Sequence, residues 1–147
     1  MKSQTDSLAV MLFSEILMLD QLARTAVGRA LPKGMELSQF SVLNHLAHTG
    51  HERTPAQIAR AFHLTRGAMT NTLNKLEWAG WVHIRPDWDD ARRKLVSLSP
   101  SGLIARDQAL AAITPIIGDE VEKIGADRVR VVLPVLRELR IKLSTAE

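Results

Sequence analysis

"DWDDARRKLVSLSPSG", residues 87 to 102, is the stretch that decides the fold. An aromatic and acidic run gives way to Arg92, Arg93 and Lys94. The alternation Leu95-Val96-Ser97-Leu98 follows, then Ser99-Pro100. The alternation reads as a strand, "KLVSLS". Upstream, "WVHIR" from Trp81 reads as its partner, with about nine residues between them, a hairpin with an extended tip. Ser99-Pro100 combines a capping hydroxyl with the ring that suits a first helical position, so a helix starts there. The open question is why three cations are held at the tip of a hairpin.

The segment before the hairpin, "LTRGAMTNTLNKLEWAG", reads as a helix that Thr65 can cap and Gly80 can end. Met69, Leu73 and Leu76 fall on one side. Arg66, Thr70, Asn71, Asn74 and Lys75 lie largely on the others. Thr and Asn are mediocre helix formers, and a merely solvated face more often carries Glu–Lys pairs, so this polar face needs another purpose. Asn, Arg and Thr carry the donors and acceptors that match base edges in a major groove. Before it, Thr54-Pro55 starts a short helix, "TPAQIARAFH", expected to bury Ile58, Ala59 and Phe62. Ser38 is the expected cap of another helix, with Phe40, Val42, Leu43, Leu46 and Ala47 inward and Gly50 past its end.

At the N-terminus, Leu8, Leu12, Ile16, Leu19 and Leu22 recur every three or four residues. They predict a long helix over about residues 5 to 30, ended by Pro32-Lys33-Gly34. After Ser99-Pro100 a helix runs through Leu103, Ile104, Leu110 and Ile113, with a kink expected at Pro115. Gly125 separates a last helix, about 126 to 144, expected to bury Val129, Val132, Leu133, Leu136 and Leu139, with a bend at Pro134. The fold class is therefore mainly α with a small β-hairpin wing: a winged helix-turn-helix flanked by terminal helices.

With 147 residues the chain is the size of one domain or compact subunit. Hydrophobic residues make up 46% and charged residues 24%, a composition that folds. No apolar run approaches ~20 residues, and the N-terminus lacks a signal-peptide layout, so a cytoplasmic protein is expected. The absence of cysteine removes disulfides, thiolate metal sites and thiol redox switching. The net charge is only +3, yet Arg60 to Leu95 holds seven Lys/Arg against four acids, so the whole excess lies in that quarter of the chain. Such concentration suits a polyanion; the alternative is a solvated face whose charges happen to cluster. Glycine-rich phosphate loops, a serine elbow and metal-spaced ligand sets are missing from the sequence, so an enzyme is not expected.

"SQFSVLNHLA", "TPAQIARAFHLTRGAMTNTLNKLEWAGWV", Asp90-x-Arg92 and "VSLSPSG", in this order and spacing, resemble the MarR family of winged helix-turn-helix transcriptional regulators over nearly the whole chain. The resemblance implies a homodimer. Residues 1–35 and 100–147 would form the helical dimerisation region and residues 36–99 the DNA-binding domain. It implies a repressor or other regulator on a pseudopalindromic operator in double-stranded DNA. Arg92 would be the wing arginine, with Asp90 orienting its guanidinium in a fork geometry; the alternative is an ion pair that only stabilises the turn. Arg93 and Lys94 are expected at phosphates with Thr65 and Lys75, and Arg66, Thr70, Asn71 and Asn74 nearest the bases. Family members often carry an arginine two residues after the strand valine. Here Ile84 stands there, so either the strand face is rearranged or Arg85 takes the role. Trp88 is expected to pack the loop, the alternative being contact with the sugar-phosphate edge.

The same resemblance implies a small, aromatic or phenolic, acid-like effector between the dimer helices and the winged domain. Matching positions are Phe40, Asn44 and Arg106, with Met18 and Leu22 as apolar walls. A single cation facing an apolar cleft suits a carboxylate; a surface salt bridge with Asp107 is the competing reading of Arg106. His45, His48 and His51 recur every three residues, but His51 follows Gly50 and no cysteine is present. They read as ordinary histidines rather than a metal site, and no cofactor is expected. A winged-helix module for protein contacts is the remaining alternative function.

Overall fold

The computed structural model describes residues 2–145. It comprises α1 (Lys2–Ala30), α2 (Leu37–Thr49), α3 (Pro55–Ala61), α4 (Arg66–Trp78), β1 (Val82–Asp87), β2 (Asp90–Leu98), α5 (Pro100–Ile124) and α6 (Ala126–Ser144). The order is the expected one: a mainly helical fold carrying one antiparallel hairpin. Two compact units divide it, residues 1–110 and residues 111–147. None of the described helices is long and apolar enough to cross a membrane.

The first unit centres on α2, α3, α4 and the hairpin. Val42, Leu43 and Leu46 from α2, Ile58 and Ala59 from α3, Met69, Leu73 and Leu76 from α4, and Val82 and Val96 from the strands are all buried. Each large aliphatic side chain taken fully from water contributes about 1.5–3 kcal/mol, so this cluster fixes the unit. Phe62, expected inside, is only half-buried, because the chain leaves the helix there and turns.

Helix boundaries follow local hydrogen bonding. Ser38 does not cap α2. Glu36 is the cap and the helix starts at Leu37, two residues earlier than a Ser38 cap would place it, with the Gln39 side chain reaching back to accept the Glu36 N–H at 2.7 Å. Thr54 and Gln57 form the reciprocal pair at α3: Thr54 Oγ1 accepts from the Gln57 N–H at 3.1 Å, and Gln57 Oε1 from the Thr54 N–H at 2.9 Å. Thr65 caps α4 through the Ala68 N–H at 3.2 Å, as expected. Both α3 and α4 end in the same way, with paired backbone bonds around one left-handed residue. At α4 that residue is Gly80 (φ 78°), and Trp81 N–H reaches the Leu76 carbonyl at 3.0 Å. At α3 it is His63 (φ 53°), a conformation a side chain tolerates poorly, and Leu64 N–H reaches the Ala59 carbonyl at 3.0 Å.

The hairpin differs from the expected extended tip. The strands run on to Asp87 and from Asp90, leaving only Trp88 and Asp89 as the turn. Pro86 pairs with Lys94 while Asp87 pairs with Asp90, so Ala91, Arg92 and Arg93 bulge out of register. The bulge, not a long loop, presents the cations. A further bridge was not legible from alternation: Arg53 N–H donates to the Val96 carbonyl at 3.0 Å, and Val96 N–H to the Arg53 carbonyl at 2.7 Å. It ties β2 to the segment entering α3.

The start of α5 locks onto the base of the hairpin. Ser99 Oγ accepts from the Gly102 N–H at 2.9 Å, and the Ser99 and Ser101 hydroxyls donate to the Gly80 carbonyl at 2.6 and 2.7 Å. A Cβ at Gly102 would run into the Trp81 carbonyl oxygen, so only glycine fits.

The second unit holds the end of α5 and α6, separated by Gly125 (φ 110°). Both helices continue past Pro115 and Pro134. The expected burial on α6 is corrected: Val132, Leu133 and Leu136 are exposed, and Val129 and Leu139 only half-buried. In α1, Leu8, Met11, Leu17, Met18, Leu19 and Leu22 are likewise exposed, although their periodicity is that of a buried face. Among the described residues these stripes are left exposed to water.

Candidate nucleic-acid interface

The inward side of α4 is committed to the core, which leaves its outer side free. Arg66, Thr70, Asn71 and Asn74 are all exposed, and no hydrogen bond among the described residues engages their side chains. Two adjoining concavities run beside this face. One is lined by Arg66 and Thr70 together with Arg92, Arg93, Lys94 and the start of α3. The next is lined by Thr70 and Asn74 with Arg85, Pro86 and Lys94. The hairpin cations and the polar side of α4 therefore border adjoining concavities. Asn71 lies on the exposed side of α4 but lines neither concavity.

The cations on this surface have different fates. The Arg92 side chain is 92% exposed. Asp90 Oδ1 accepts its backbone N–H at 3.1 Å and its Nε at 3.4 Å, so Asp90 touches Arg92 through one oxygen rather than in a fork. The strong wing pair is another. Asp87 Oδ2 accepts from Arg93 Nη2 at 2.7 Å and Nε at 3.1 Å, while Asp87 Oδ1 accepts the Asp89 N–H at 3.0 Å. The Asp89 amide and the Arg93 guanidinium hold the Asp87 carboxyl below its usual range, and Asp87 in turn raises Arg93. Arg93 is thus occupied in shaping the bulge. Asp87 was missed in the sequence because its partner lies six residues on, and only the hairpin register brings the two together.

Arg85 is also engaged. Its Nη2 donates to Glu52 Oε1 and its Nη1 to the Pro86 carbonyl, both at 2.9 Å, and Cζ lies 5.6 Å from the centre of the Trp88 ring. The Glu52 hydrogen bond raises its pKa. The replacement of the familiar strand arginine by Ile84 is thus accompanied by an Arg85 that braces the hairpin against the turn before α3. Lys75 points toward α2, with Nζ 3.2 Å from both Glu36 carboxylate oxygens, away from the concavities. Thr65 is on the exposed start of α4 with its hydroxyl oxygen capping the helix. Trp88 does not pack the loop: the residue is 79% exposed at the turn.

Of the residues expected around an effector, Arg106 and Asn44 meet, Arg106 Nε donating to Asn44 Oδ1 at 3.1 Å. Arg106 Nη1 also pairs with Asp107 at 3.1 Å, so the salt bridge is present as well. Phe40 and Asn44 line an open hollow with His45 and Phe62, whose rings meet edge to face at 5.3 Å. Met18 and Leu22 are exposed on α1 and do not line it. Burial, then the Arg53 and His48 charges, lower the His45 pKa. Among the described residues no group of three or more His, Asp or Glu is placed to hold a metal ion.

A helix pair joined by a tight turn, followed by a cation-bearing hairpin, defines a winged helix-turn-helix protein. A family model described as MarR family matches residues 33–93, from before α2 through the bulge. The multiple antibiotic resistance protein MarR of Salmonella typhimurium is 30% identical over 116 residues, covering 74% of this chain and 76% of that protein. The chain belongs to the MarR family of transcriptional regulators. Its fold is also that of two solved structures. A mutant MarR from E. coli, complexed with operator DNA, superposes with TM-score 0.79 at 24% identity, covering 89% of this chain and 94% of that one. CouR from Rhodococcus jostii RHA1, bound to p-coumaroyl-CoA, superposes with TM-score 0.74 at 22% identity, covering 84% and 87%.

Proposed function

We propose that the chain works in the cytoplasm as a homodimeric, sequence-specific DNA-binding repressor, relieved by a small aromatic-acid-like effector. One observation carries this reading: the free polar side of α4 and the exposed Arg92 and Lys94 border the same concave surface. In this reading Arg66, Thr70, Asn71 and Asn74 meet base edges, each good contact contributing about 1–3 kcal/mol of discrimination. Arg92 enters the minor groove, where a narrow groove concentrates negative potential. Lys94 and Thr65 contact phosphate. Asp87 and Asp90 hold the bulge, and Arg93, Arg85 and Lys75 act through the acids they pair with. The E. coli MarR bound to operator DNA shares this fold.

The exposed apolar stripes of α1 and α6 support the dimer, since monomers rarely leave so much aliphatic surface to water. Residues 1–35 and 100–147 would supply the dimer interface, and 36–99 the DNA-binding domain. Two-fold symmetry then calls for a pseudopalindromic operator with half-sites about one turn, ~10 base pairs, apart. CouR, of the same fold, binds p-coumaroyl-CoA, an aromatic-acid derivative. Here an effector carboxylate would compete with Asp107 for Arg106 beside Asn44 and Phe40, with Met18 and Leu22 brought in by dimerisation. It would release DNA only by its differential affinity for two dimer shapes. A gel shift of the purified protein on its own upstream region, repeated with aromatic carboxylates, tests this. A salt-sensitive shift reversed by one of them is expected. No shift at low salt would favour a protein-interaction module instead.

A further inference from the structure

The sharpest unexplained feature on the wing is Trp88. It occupies one of only two turn residues of the hairpin and leaves 79% of its surface in water. An indole so placed adds nothing to the core, and it loses apolar contact that packing would have given. One ring face is met by the Arg85 guanidinium, which Glu52 and the Pro86 carbonyl hold in place. The ring is therefore oriented rather than free, with its other face open. Its neighbours are acidic: Asp89 is exposed beside it and Asp90 follows. That charge disfavours phosphate at the turn, so any attraction there has to be apolar. Arg92, four residues on, is 92% exposed, and in the DNA-binding reading above it enters the groove beside this turn.

We infer that Trp88 is a DNA-contacting residue, packing its open ring face on the deoxyribose edges of the groove entered by Arg92. This rests on the DNA-binding reading above. Insertion between base pairs would need two free faces, and Arg85 covers one, so the contact is one-sided and does not kink the duplex. It reads no base. It adds affinity without counterion release and sets how deeply the wing seats.

The test measures operator affinity over a range of salt for the wild type, Trp88→Ala, Trp88→Phe and Arg92→Ala. The ring is exposed, so Trp88→Ala should melt like the wild type. Trp88→Ala should bind about tenfold more weakly with an unchanged slope of log affinity on log salt, and Trp88→Phe should recover most of the loss. Arg92→Ala should lower that slope by about one. Operator should quench tryptophan emission less in Trp88→Phe than in the wild type, leaving the signal of Trp78 and Trp81. Wild-type affinity in Trp88→Ala alongside weakened Arg92→Ala would overturn the inference and spare DNA binding. So would a slope that falls in Trp88→Ala, since a charge contact would then be the thing lost. Failure of the wild type itself to bind any fragment would remove the DNA reading, and the Trp88 contact with it.

Discussion

Arg92 and Arg93 are sequence neighbours with opposite assignments. Arg93 spends its guanidinium on the buried Asp87 carboxylate, and Arg92 keeps its own in water. A bare count of cations treats them alike; the bulge separates them. Arg92→Ala should therefore weaken operator binding tenfold or more in a gel shift, while leaving the melting temperature unchanged. Lys75→Ala, which removes a cation already paired with Glu36, should change affinity by less than about threefold, as expected for an exposed pair outside the two concavities. Equal losses in the two variants would mean that Lys75 leaves Glu36 to meet phosphate. His45 makes a different prediction. Its folded-state pKa lies below the ordinary value of 6.5, so folding favours the neutral ring. Its contribution to stability is whole above 6.5 and is lost as pH falls from there through its lowered folded value. The urea midpoint should drop as pH falls below 6.5, and His45→Gln should flatten that drop. An identical pH profile in the variant would show that the ring beside Phe62 and Arg53 is already solvated.

At the scale of elements, most boundaries were legible because punctuation residues carry their own geometry. Thr54-Pro55, Thr65 and Gly80 act where the sequence places them, since caps and left-handed turns are local. Ser38 failed because Glu36 and Gln39 form the capping pair two residues earlier, a choice that spacing alone does not rank. The hairpin tip was misjudged because alternation ends where a bulge begins, although pairing resumes beyond it. Arg53 joining β2 depends on tertiary approach and leaves no periodic trace. The junction of hairpin and α5 is the most constrained point. Gly102→Ala should lower the unfolding free energy by about 3 kcal/mol, the upper end for overpacking, because the obstruction is backbone and cannot rotate away. A denaturant midpoint equal to the wild type would show that α5 does not seat on Trp81.

At the scale of the molecule, the recurring leucines of α1 were read as an apolar surface and stand exposed, while the aliphatic side of α6 was read as buried and is exposed or half-buried. Periodicity reports that a face seeks a partner, not which chain supplies it. The concave surface beside α4 was legible in its residue types and not in its pairing, which needed the register of the wing. What remains is the spacing that a pair of subunits would impose on two recognition helices. Hydroxyl-radical footprinting of the purified protein on its upstream DNA reads that spacing. Two related patches of protection with centres ~10 base pairs apart, both lost in Arg92→Ala, are expected. A single protected half-site, or protection that Arg92→Ala leaves intact, would mean that paired wings and helices are not how this chain meets a duplex.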